Sequence, residues 1–186
     1  MLHPDTLIRH VSEAIGVGVF ATRRIPRGTV TWARDPLDIL LPTAQVRDLH
    51  PLQQAIVNRY SWREGDRWIL CWDHARYVNH SCDANCVGLE VQFEIALRDI
   101  EPGEQLTDDY RSLGAFDEPF PCMCGSTRCT GRVEPADLPR IRPLWETRFA
   151  AAVVDFHAVA QPLLPFVNAS DLARVATSKE LSAGHA

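Results

Sequence analysis

Two short polar segments carry the side chains best suited to chemistry. Residues 79–82, Asn-His-Ser-Cys, place an amide, an imidazole, a hydroxyl and a thiol side by side. Such a segment is too polar for a core strand unless each group has a hydrogen-bond partner. The alternative is a surface turn built on Asx hydrogen bonds, and composition alone favours that turn. The second segment, Asp-Asp-Tyr at 108–110, is in isolation typical of a solvated strand end.

The six cysteines are grouped in a way that indicates metal binding. They stand at 71, 82, 86, 122, 124 and 129, and the last three form a Cys-x-Cys-x4-Cys motif. Structural zinc takes four ligands in a tetrahedron, so the motif predicts a zinc site whose fourth ligand lies elsewhere in the chain. A redox pair or unrelated thiols are the alternative, which this spacing disfavours. We assign Cys71, within an apolar run, to the core.

A Gly-x-Gly motif, Gly16-Val17-Gly18, enters an apolar segment near the N-terminus. The absence of a Cβ lets the backbone come close to a ligand. A β-turn between two strands explains the same pattern and is favoured on the pattern alone. The third glycine and following helix of a dinucleotide-binding motif are missing, so a Rossmann site is a poor explanation of the pattern.

Short strands and turns must position these groups. The alternation of Val87, Leu89, Val91, Phe93, Ile95 and Leu97 predicts a half-buried strand or hairpin over 87–97. Further strands are predicted at 7–11, 15–22, 29–33, 38–41 and 66–72, the last with Trp68, Leu70 and Trp72 on one face. Helices are predicted at 43–49, capped by Thr43, and at 51–60, because Pro51 must restart the helix.

The pattern of apolar residues predicts helices in the C-terminal part of the chain. Apolar residues at 145, 149, 152, 153 and 156 form a helical stripe over 143–160, with Pro143 suited to the first turn. This helix packs either on the domain or on a second chain as a homodimer contact. Ser170 is expected to cap a last short helix, and residues 182–186 are expected to be frayed.

Composition and charge exclude several classes of protein. The chain has 186 residues with 46% hydrophobic and 23% charged residues, which is ordinary for one globular domain with an appendage. The net charge is −5 and no basic run is present, so direct nucleic-acid binding is disfavoured. Neither a membrane span nor a signal peptide is expected, which predicts an intracellular, cytoplasmic protein, or a nuclear one in a eukaryote.

Four motifs in order resemble the SET domain, the fold of S-adenosylmethionine-dependent protein-lysine methyltransferases. They are GVGVFATRRIPRGT at 16–29, NHSCDAN at 79–85, ALRDIEPGEQLTDDY at 96–110 and the cysteine motif at 122–129. The resemblance spans about 16–131 and is most specific at 96–110. Two positions depart from the family pattern: Ala84 replaces a usual proline, and Asp108 replaces a usual Phe or Tyr.

The resemblance implies a mainly β fold of the SET (β-clip) type. In that fold, residues 79–85 pass under another segment in a knot-like crossing. We therefore expect a SET domain over 1–118 with a short variable insert at about 42–65. A post-SET zinc loop would follow at 119–133, and a C-terminal helical extension with a frayed end at 134–186. The insert offers no motif from which to identify a substrate.

The resemblance also assigns roles to single residues. Tyr110 corresponds to the catalytic tyrosine, and Asp108 to the switch in the substrate channel that helps set how many methyl groups are added. An aspartate there is expected to be wetter and more anionic than an aromatic ring. The cofactor-binding positions are Gly16, Val17, Gly18, Tyr77, Asn79, His80 and Met123. The metal ligands are Cys82, Cys122, Cys124 and Cys129, with Cys86 as the local rival of Cys82.

The implied reaction is SN2 transfer of a methyl group from a sulfonium to a lysine amine. The expected partners are S-adenosylmethionine, Zn²⁺ and a lysine-containing protein, a histone or another basic protein, which the acidic surface suits. The substrate amine must lose a proton, because a free lysine has a pKa near 10.4. A catalytically inactive, zinc-stabilised interaction module is the alternative, favoured by Asp108 and Ala84.

Overall fold

The computed structural model describes residues 1–89, 91–113, 116 and 118–174. The strands are β1 (Thr6–Ser12), β2 (Gly16–Ala21), β3 (Val30–Ala33), β4 (Ile39–Pro42), β5 (Ser61–Glu64), β6 (Arg67–Leu70), β7 (Asn79–His80), β8 (Cys86–Val87), β9 (Phe93–Ala96), β10 (Thr107–Asp108), β11 (Phe120–Pro121) and β12 (Arg132–Val133). The α-helices are α1 (Thr43–Arg47), α2 (Pro51–Tyr60), α3 (Tyr110–Leu113) and α4 (Leu138–Val153), with helical turns at 169–174. The predicted mainly β class with short helices is confirmed.

The strands are arranged in small sheets. Within the described ranges the antiparallel sheets have the orders β1-β2, β3-β9-β8, β4-β6-β5 and β11-β12, and β7 pairs with β10 in parallel. In the β7-β10 pair Asn79 is opposite Thr107 and Asp108 is opposite His80. The Ser81 N–H also donates a 2.9 Å hydrogen bond to the Asp108 carbonyl. The two motifs of the predicted crossing therefore lie side by side.

The alternating segment at 87–97 is a hairpin. Strands β8 and β9 pair antiparallel, with Val87 opposite Ile95. Val87, Phe93 and Ile95 are fully buried. Since β9 is also the centre of the β3-β9-β8 sheet, its side chains contribute to the core on one face and line the cavity described below on the other.

The insert contains a strand that the sequence prediction missed. Strand β5 follows α2 directly and pairs with β6, so residues 61–70 are a hairpin rather than a single strand at 66–72. Trp72 lies beyond the strand and is 40% exposed, so it does not share a buried face with Leu70. Pro51 begins α2 as predicted, capped by the His50 side chain. Helix α1 has no side-chain cap, and Thr43 is its first residue.

The C-terminal helix begins earlier than predicted. Helix α4 runs over Leu138–Val153 and contains Pro143 in its interior, because a 3-10 turn at Pro135–Asp137 leads directly into it. Its stripe of Ile141, Trp145, Phe149, Ala152 and Val153 is buried against a core that includes Val30, Phe93 and Ile95. Of the two alternatives for this stripe, the structure shows packing on the domain, and the possible homodimer contact through this helix is not supported.

Residues after α4 fasten the extension to the sheet. Gln161 accepts a hydrogen bond from the Val30 N–H at 2.8 Å and donates to the Gly28 carbonyl at 2.8 Å. Gly28 has φ +83°, and a Cβ there would lie 2.8 Å from the Ala152 carbonyl oxygen. The Pro-Arg-Gly turn therefore ends in glycine because the end of α4 approaches it closely.

The last described turn is capped by a residue other than the predicted one. Asn168 Oδ1 accepts a 2.8 Å hydrogen bond from the Asp171 N–H, so Asn168 rather than Ser170 caps the helical turns at 169–174. The predicted frayed end at 182–186 lies outside the described residues. Among the described helices, none is both long and apolar enough to cross a membrane.

Candidate active site

Tyr110 lies directly beside the Asn-His segment. Its Oη donates a 2.7 Å hydrogen bond to the Val78 carbonyl, and its N–H donates to His80 Nδ1 at 3.2 Å. The ring centroids of His80 and Tyr110 are 5.6 Å apart. Burial raises the pKa of Tyr110, and the nearby acids Asp108 and Glu94 add to the effect. The phenol is therefore neutral at pH 7, and hydrogen bonds from its Oη and from the backbone N–H fix the position of the residue.

Asp109 anchors the segment that carries Tyr110. Its carboxylate is fully buried and accepts hydrogen bonds from Arg111 Nε at 2.8 Å and Arg111 Nη2 at 2.6 Å. Trp145 Nε1 donates a third at 3.0 Å, and His80 Nδ1 lies 3.5 Å away. Burial lowers the pKa of His80 to about 4, although Asp109 acts in the opposite direction. The imidazole is therefore neutral, and both oxygens of the Asp109 side chain have hydrogen-bond partners.

The Gly-x-Gly strand meets the crossing from the other side. Asn79 Nδ2 donates a 3.0 Å hydrogen bond to the Val17 carbonyl. A Cβ on Gly18 would lie 2.9 Å from Asn79 Nδ2 and 2.7 Å from Gln105 Nε2. A side chain at position 18 would therefore displace the amide groups of Asn79 and Gln105, and Gly18 lets β2 pack closely on the crossing. The sequence suggested that the missing Cβ lets a ligand approach the backbone, whereas at Gly18 it makes room for the side chains of Asn79 and Gln105.

One cavity of about 820 Å³ joins these groups. Of the predicted cofactor and substrate positions, all but Gly18 line it, namely Gly16, Val17, Tyr77, Asn79, His80, Met123, Asp108 and Tyr110. The structure therefore brings together residues from the start of the chain, both crossing motifs and the cysteine loop. Gly18 lies behind the wall, where it contacts Asn79 rather than the cavity.

Several cavity residues were missed by sequence reasoning. Arg59 and Tyr60 end helix α2, in the insert that offered no motif, and both line the cavity. Arg59 Nη2 donates to the Ile15 carbonyl at 3.4 Å, and the Tyr60 ring meets the Tyr77 ring edge to face at 5.5 Å between centroids. No local signal identifies them. Only the pairing of β5 with β6 brings the end of α2 to the cavity.

Glu94 was also missed, and it changes the interpretation of Asp108. Glu94 alternates with buried Phe93 and Ile95, which reads as the polar face of a half-exposed strand. That face instead lines the cavity next to Asp108. Asp108 is only 1% exposed, so the prediction of a wet, anionic aspartate is wrong. Burial, together with the charge of Glu94, raises the pKa of Asp108 well above its ordinary value.

The cysteine motif forms a cluster with Cys82. The Sγ atoms of Cys82, Cys122, Cys124 and Cys129 all lie within 4.8 Å of one another, and those of Cys82 and Cys122 are 3.8 Å apart. A tetrahedron with metal–sulfur bonds of about 2.3 Å has sulfur–sulfur edges of about 3.8 Å. The donor set and spacing therefore fit one ion, and the cluster can hold a metal.

Short backbone elements build this cluster. Strands β11 and β12 pair antiparallel and close the loop that carries the last three cysteines. The Cys122 N–H donates to the Gly131 carbonyl at 3.0 Å. Although burial opposes it, hydrogen bonds from the backbones of Cys82 and Ser126 lower the pKa of Cys124 to about 7. A lowered pKa favours the thiolate, the form that binds metals.

The two remaining cysteines lie away from the cluster. Cys86 is 1% exposed in β8, and its thiol donates to Asn85 Oδ1 at 3.5 Å, so it does not replace Cys82. Cys71 is 2% exposed, and burial raises its pKa. Both thiols are small buried groups of the core, as the sequence predicted for Cys71.

The chain is similar in sequence to several histone-lysine N-methyltransferases. The chain is 31% identical over 128 residues to a histone-lysine N-methyltransferase, H3 lysine-4 specific, of Chaetomium globosum, covering 61% of the chain and 12% of that relative. A protein of the same name from Saccharomyces cerevisiae is 35% identical over 103 residues, covering 48% and 10%. The histone-lysine N-methyltransferase TRX1 of Oryza sativa subsp. japonica is 42% identical over 66 residues, covering 32% and 6%. The chain thus spans about an eighth or less of the length of these relatives.

Among solved structures, KRYPTONITE in complex with mCHG DNA and SAH is similar, with a TM-score of 0.47 and 23% identity over 66% of this chain and 28% of that chain. The SET domain family model matches residues 16–111, which is more than half of the 186 residues. The matched range contains the Gly-x-Gly strand, both crossing motifs and Tyr110. The chain therefore belongs to the SET-domain family.

Proposed function

We propose that the protein is a protein-lysine N-methyltransferase. It would transfer a methyl group from S-adenosylmethionine to the side-chain amine of a lysine in a histone or another basic protein. The observation that carries this proposal is the shared cavity, which is lined by Tyr110, by the neighbouring Asn79-His80 segment and by Gly16 and Val17. Membership of the SET-domain family and the similarity to histone-lysine N-methyltransferases support it.

The cofactor would be held by Gly16, Val17, Tyr77, Asn79, His80 and Met123. The Arg59 guanidinium lies near Gly16, and a Cβ added there would be 3.6 Å from Arg59 Nη2. A cation at this point suits the carboxylate of an amino-acid-like ligand. The paired rings of Tyr60 and Tyr77 offer an aromatic surface for a flat ring. When bound, S-adenosylmethionine supplies an electrophilic methyl group on a sulfonium.

Tyr110 would orient the substrate amine. Its O–H is already donated to the Val78 carbonyl, so the phenol oxygen is left to accept a hydrogen bond from the amine. Backbone carbonyls on this side of the cavity would accept weak CH···O contacts from the polarised methyl group. Holding amine, methyl carbon and sulfur in line would supply much of the acceleration.

The thiol cluster would bind zinc through Cys82, Cys122, Cys124 and Cys129. Its spacing fits tetrahedral zinc, and each of the four side chains is an ordinary zinc ligand. Cys122, Met123 and Cys124 also line the cavity, so the ion would hold this part of the wall in place. Metal binding would then stabilise the fold and shape the cofactor site together.

Methyl transfer tests the proposal directly. The chain would be incubated with radiolabelled S-adenosylmethionine and a fractionated lysate, and mass spectrometry would identify the labelled protein and residue. Label on a lysine side chain is expected. Isothermal titration with S-adenosylmethionine separates the enzyme from an inactive interaction module. Neither binding nor transfer would favour the inactive module.

A further inference from the structure

Two acidic side chains share one region of the cavity wall. Glu94 and Asp108 both line the cavity that contains Tyr110, and their carboxyl groups are close enough for each to shift the pKa of the other. Asp108 Oδ1 accepts the Asp109 N–H at 2.6 Å, whereas its Oδ2 is buried and has no hydrogen-bond partner among the described residues. A neutral Asp108 resolves this, because its own O–H then donates to Glu94.

The groups around the pair leave its charge uncompensated. In the part of the chain that the structure describes, neither carboxyl forms an ion pair, and Arg34 near the cavity is paired with Glu64. The charged or titratable groups that act on the pair are the Met1 amine and Asp109, and the pair in turn acts on Cys71, Cys86 and Tyr110. His80, the strand partner of Asp108, is neutral. Two carboxyls sharing one proton therefore leave one negative charge at the cavity wall.

We propose that Glu94, hydrogen-bonded to a protonated Asp108, binds the ammonium group of the substrate lysine and accepts its proton. This inference rests on the proposed methyl transfer. It assigns Asp108 a role different from the aromatic switch expected at that position. Asp108 keeps its own proton, so that Glu94 carries the negative charge and can accept the proton of the substrate lysine.

The proton transfer balances as follows. The lysine ammonium gives one proton to the Glu94 carboxylate, leaving a neutral amine and a neutral carboxylic acid. The amine lone pair then forms the N–C bond to the methyl carbon, the C–S bond of the methyl donor breaks, and its electron pair remains on sulfur. Glu94 afterwards releases its proton to water through the open cavity.

Burial makes Glu94 suited to this step. It raises the pKa of Glu94 to about 7, which brings it closer to the pKa of a lysine, about 10.4. Two opposite charges in a poorly hydrated site are both disfavoured, so proton transfer between them relieves both costs. The nearby sulfonium charge acts in the same direction by lowering the pKa of the amine. Tyr110 is a neutral phenol, so it can accept a hydrogen bond from the amine but cannot take up the proton of the lysine ammonium group.

The test is the pH dependence of kcat for methyl transfer into a lysine-containing basic peptide by the full chain. We expect wild-type kcat to rise with pH around the pKa of Glu94. Glu94→Gln should reduce kcat about 10²- to 10⁴-fold, abolish this rise and leave the Kd for S-adenosylmethionine unchanged. Glu94→Asp should restore part of kcat together with its increase with pH. The reduction of kcat in Asp108→Asn should be smaller than the reduction in Glu94→Gln. Glu101→Gln, an exposed carboxylate elsewhere, is the matched control.

A measurement that does not depend on turnover separates the proton shared by Glu94 and Asp108 from the proposed methyl transfer. Carbon NMR of the carboxyl groups in the full chain should show a group that titrates near pH 7 in wild type and is missing in Glu94→Gln. Ordinary titration of all carboxyls would overturn the shared proton. Methyl transfer that keeps its rate and pH dependence in Glu94→Gln would overturn the proton transfer alone. No transfer by wild type, with the expected carboxyl titration, would overturn the proposed function and the proton step with it.

Discussion

Trp145 Nε1 donates a 3.0 Å hydrogen bond to Asp109 Oδ2, and both side chains are fully buried. Trp145 belongs to helix α4, which lies outside the residues matched by the SET-domain family, 16–111. Asp109 directly precedes Tyr110. The C-terminal extension is therefore hydrogen-bonded to the segment that presents the proposed catalytic phenol, and its buried side chains form part of the main hydrophobic core.

Trp145→Phe should reduce both stability and kcat. The change keeps most of the packing but removes one donor from a buried carboxylate, which costs about 1–3 kcal/mol. Asp109 keeps Arg111, so the fold should survive while Tyr110 is positioned less well. Urea unfolding and methyl-transfer kinetics measure the two effects, with the Kd for S-adenosylmethionine expected to stay constant.

The control for this substitution is Trp72→Phe. Trp72 Nε1 also donates to a carboxylate, Asp35 Oδ2 at 2.9 Å, but Trp72 lies outside the cavity wall. It should lose stability without loss of kcat. Equal kcat losses in the two variants would show that the Trp145 bond has no special relation to Tyr110.

Tyr110→Phe should lower kcat about 10²- to 10³-fold while cofactor binding persists. The phenol oxygen is the acceptor proposed to orient the amine, and phenylalanine retains the ring contact with His80. Calorimetry with S-adenosylmethionine and turnover with a lysine peptide give the two readouts. Tyr60→Phe, another cavity tyrosine, is a useful comparison. Unchanged turnover in Tyr110→Phe would remove Tyr110 from the mechanism.

The thiol cluster should bind about one zinc ion per chain. Cys82→Ala should lose the metal, and chelation of wild type should lower its melting temperature, because metal-binding energy contributes to folding. Cys86→Ala is the matched control, since Cys86 is also a buried thiol yet lies outside the cluster. Atomic emission spectrometry of protein purified without chelators measures the content. Metal retained by Cys82→Ala and lost by Cys86→Ala would reverse the assignment.

The crossing could be predicted only through the resemblance to the SET domain, because the residues alone favoured a surface turn at 79–82 and a solvated strand end at 108–110. Residues 79–82 and 108–110 carry groups that are stable in a core only with partners, and the two segments satisfy each other through His80, Asp109 and Tyr110. The cysteine spacing likewise limited the metal ligands to few combinations. In both cases side-chain chemistry showed that partners were needed, and the resemblance indicated which residues they are.

The remaining errors have a common physical origin. Whether a polar residue on a strand faces solvent or a cavity depends on tertiary packing, so Glu94 and Asp108 were misjudged. Pro143 was placed at a helix start because a proline interrupts a helix locally, yet packing of Trp145 and Phe149 stabilises α4 around it. Arg59 and Tyr60 reach the cavity only through the unpredicted strand β5.

The carboxyl pair should make stability depend on pH. Glu94 has a folded pKa of about 7 against an ordinary value of 4.5, so the folded state binds more protons between these values. The contribution of Glu94 to the free energy of unfolding should therefore fall as pH rises from about 4.5 to about 7, and the raised pKa of Asp108 continues the fall above that range. Glu94→Gln removes this penalty and should be more stable than wild type at pH 8 by roughly 2–4 kcal/mol, with little difference at pH 4.

Urea unfolding of both proteins across this pH range measures the effect, with Glu101→Gln as the control whose curve should parallel wild type. A Glu94→Gln protein that is less stable by the same amount at every pH would contradict a raised pKa. The expected combination is a variant that gains stability at alkaline pH and loses methyl transfer. A gain of stability on removing a buried acid is the property of a side chain retained for function at the expense of the fold.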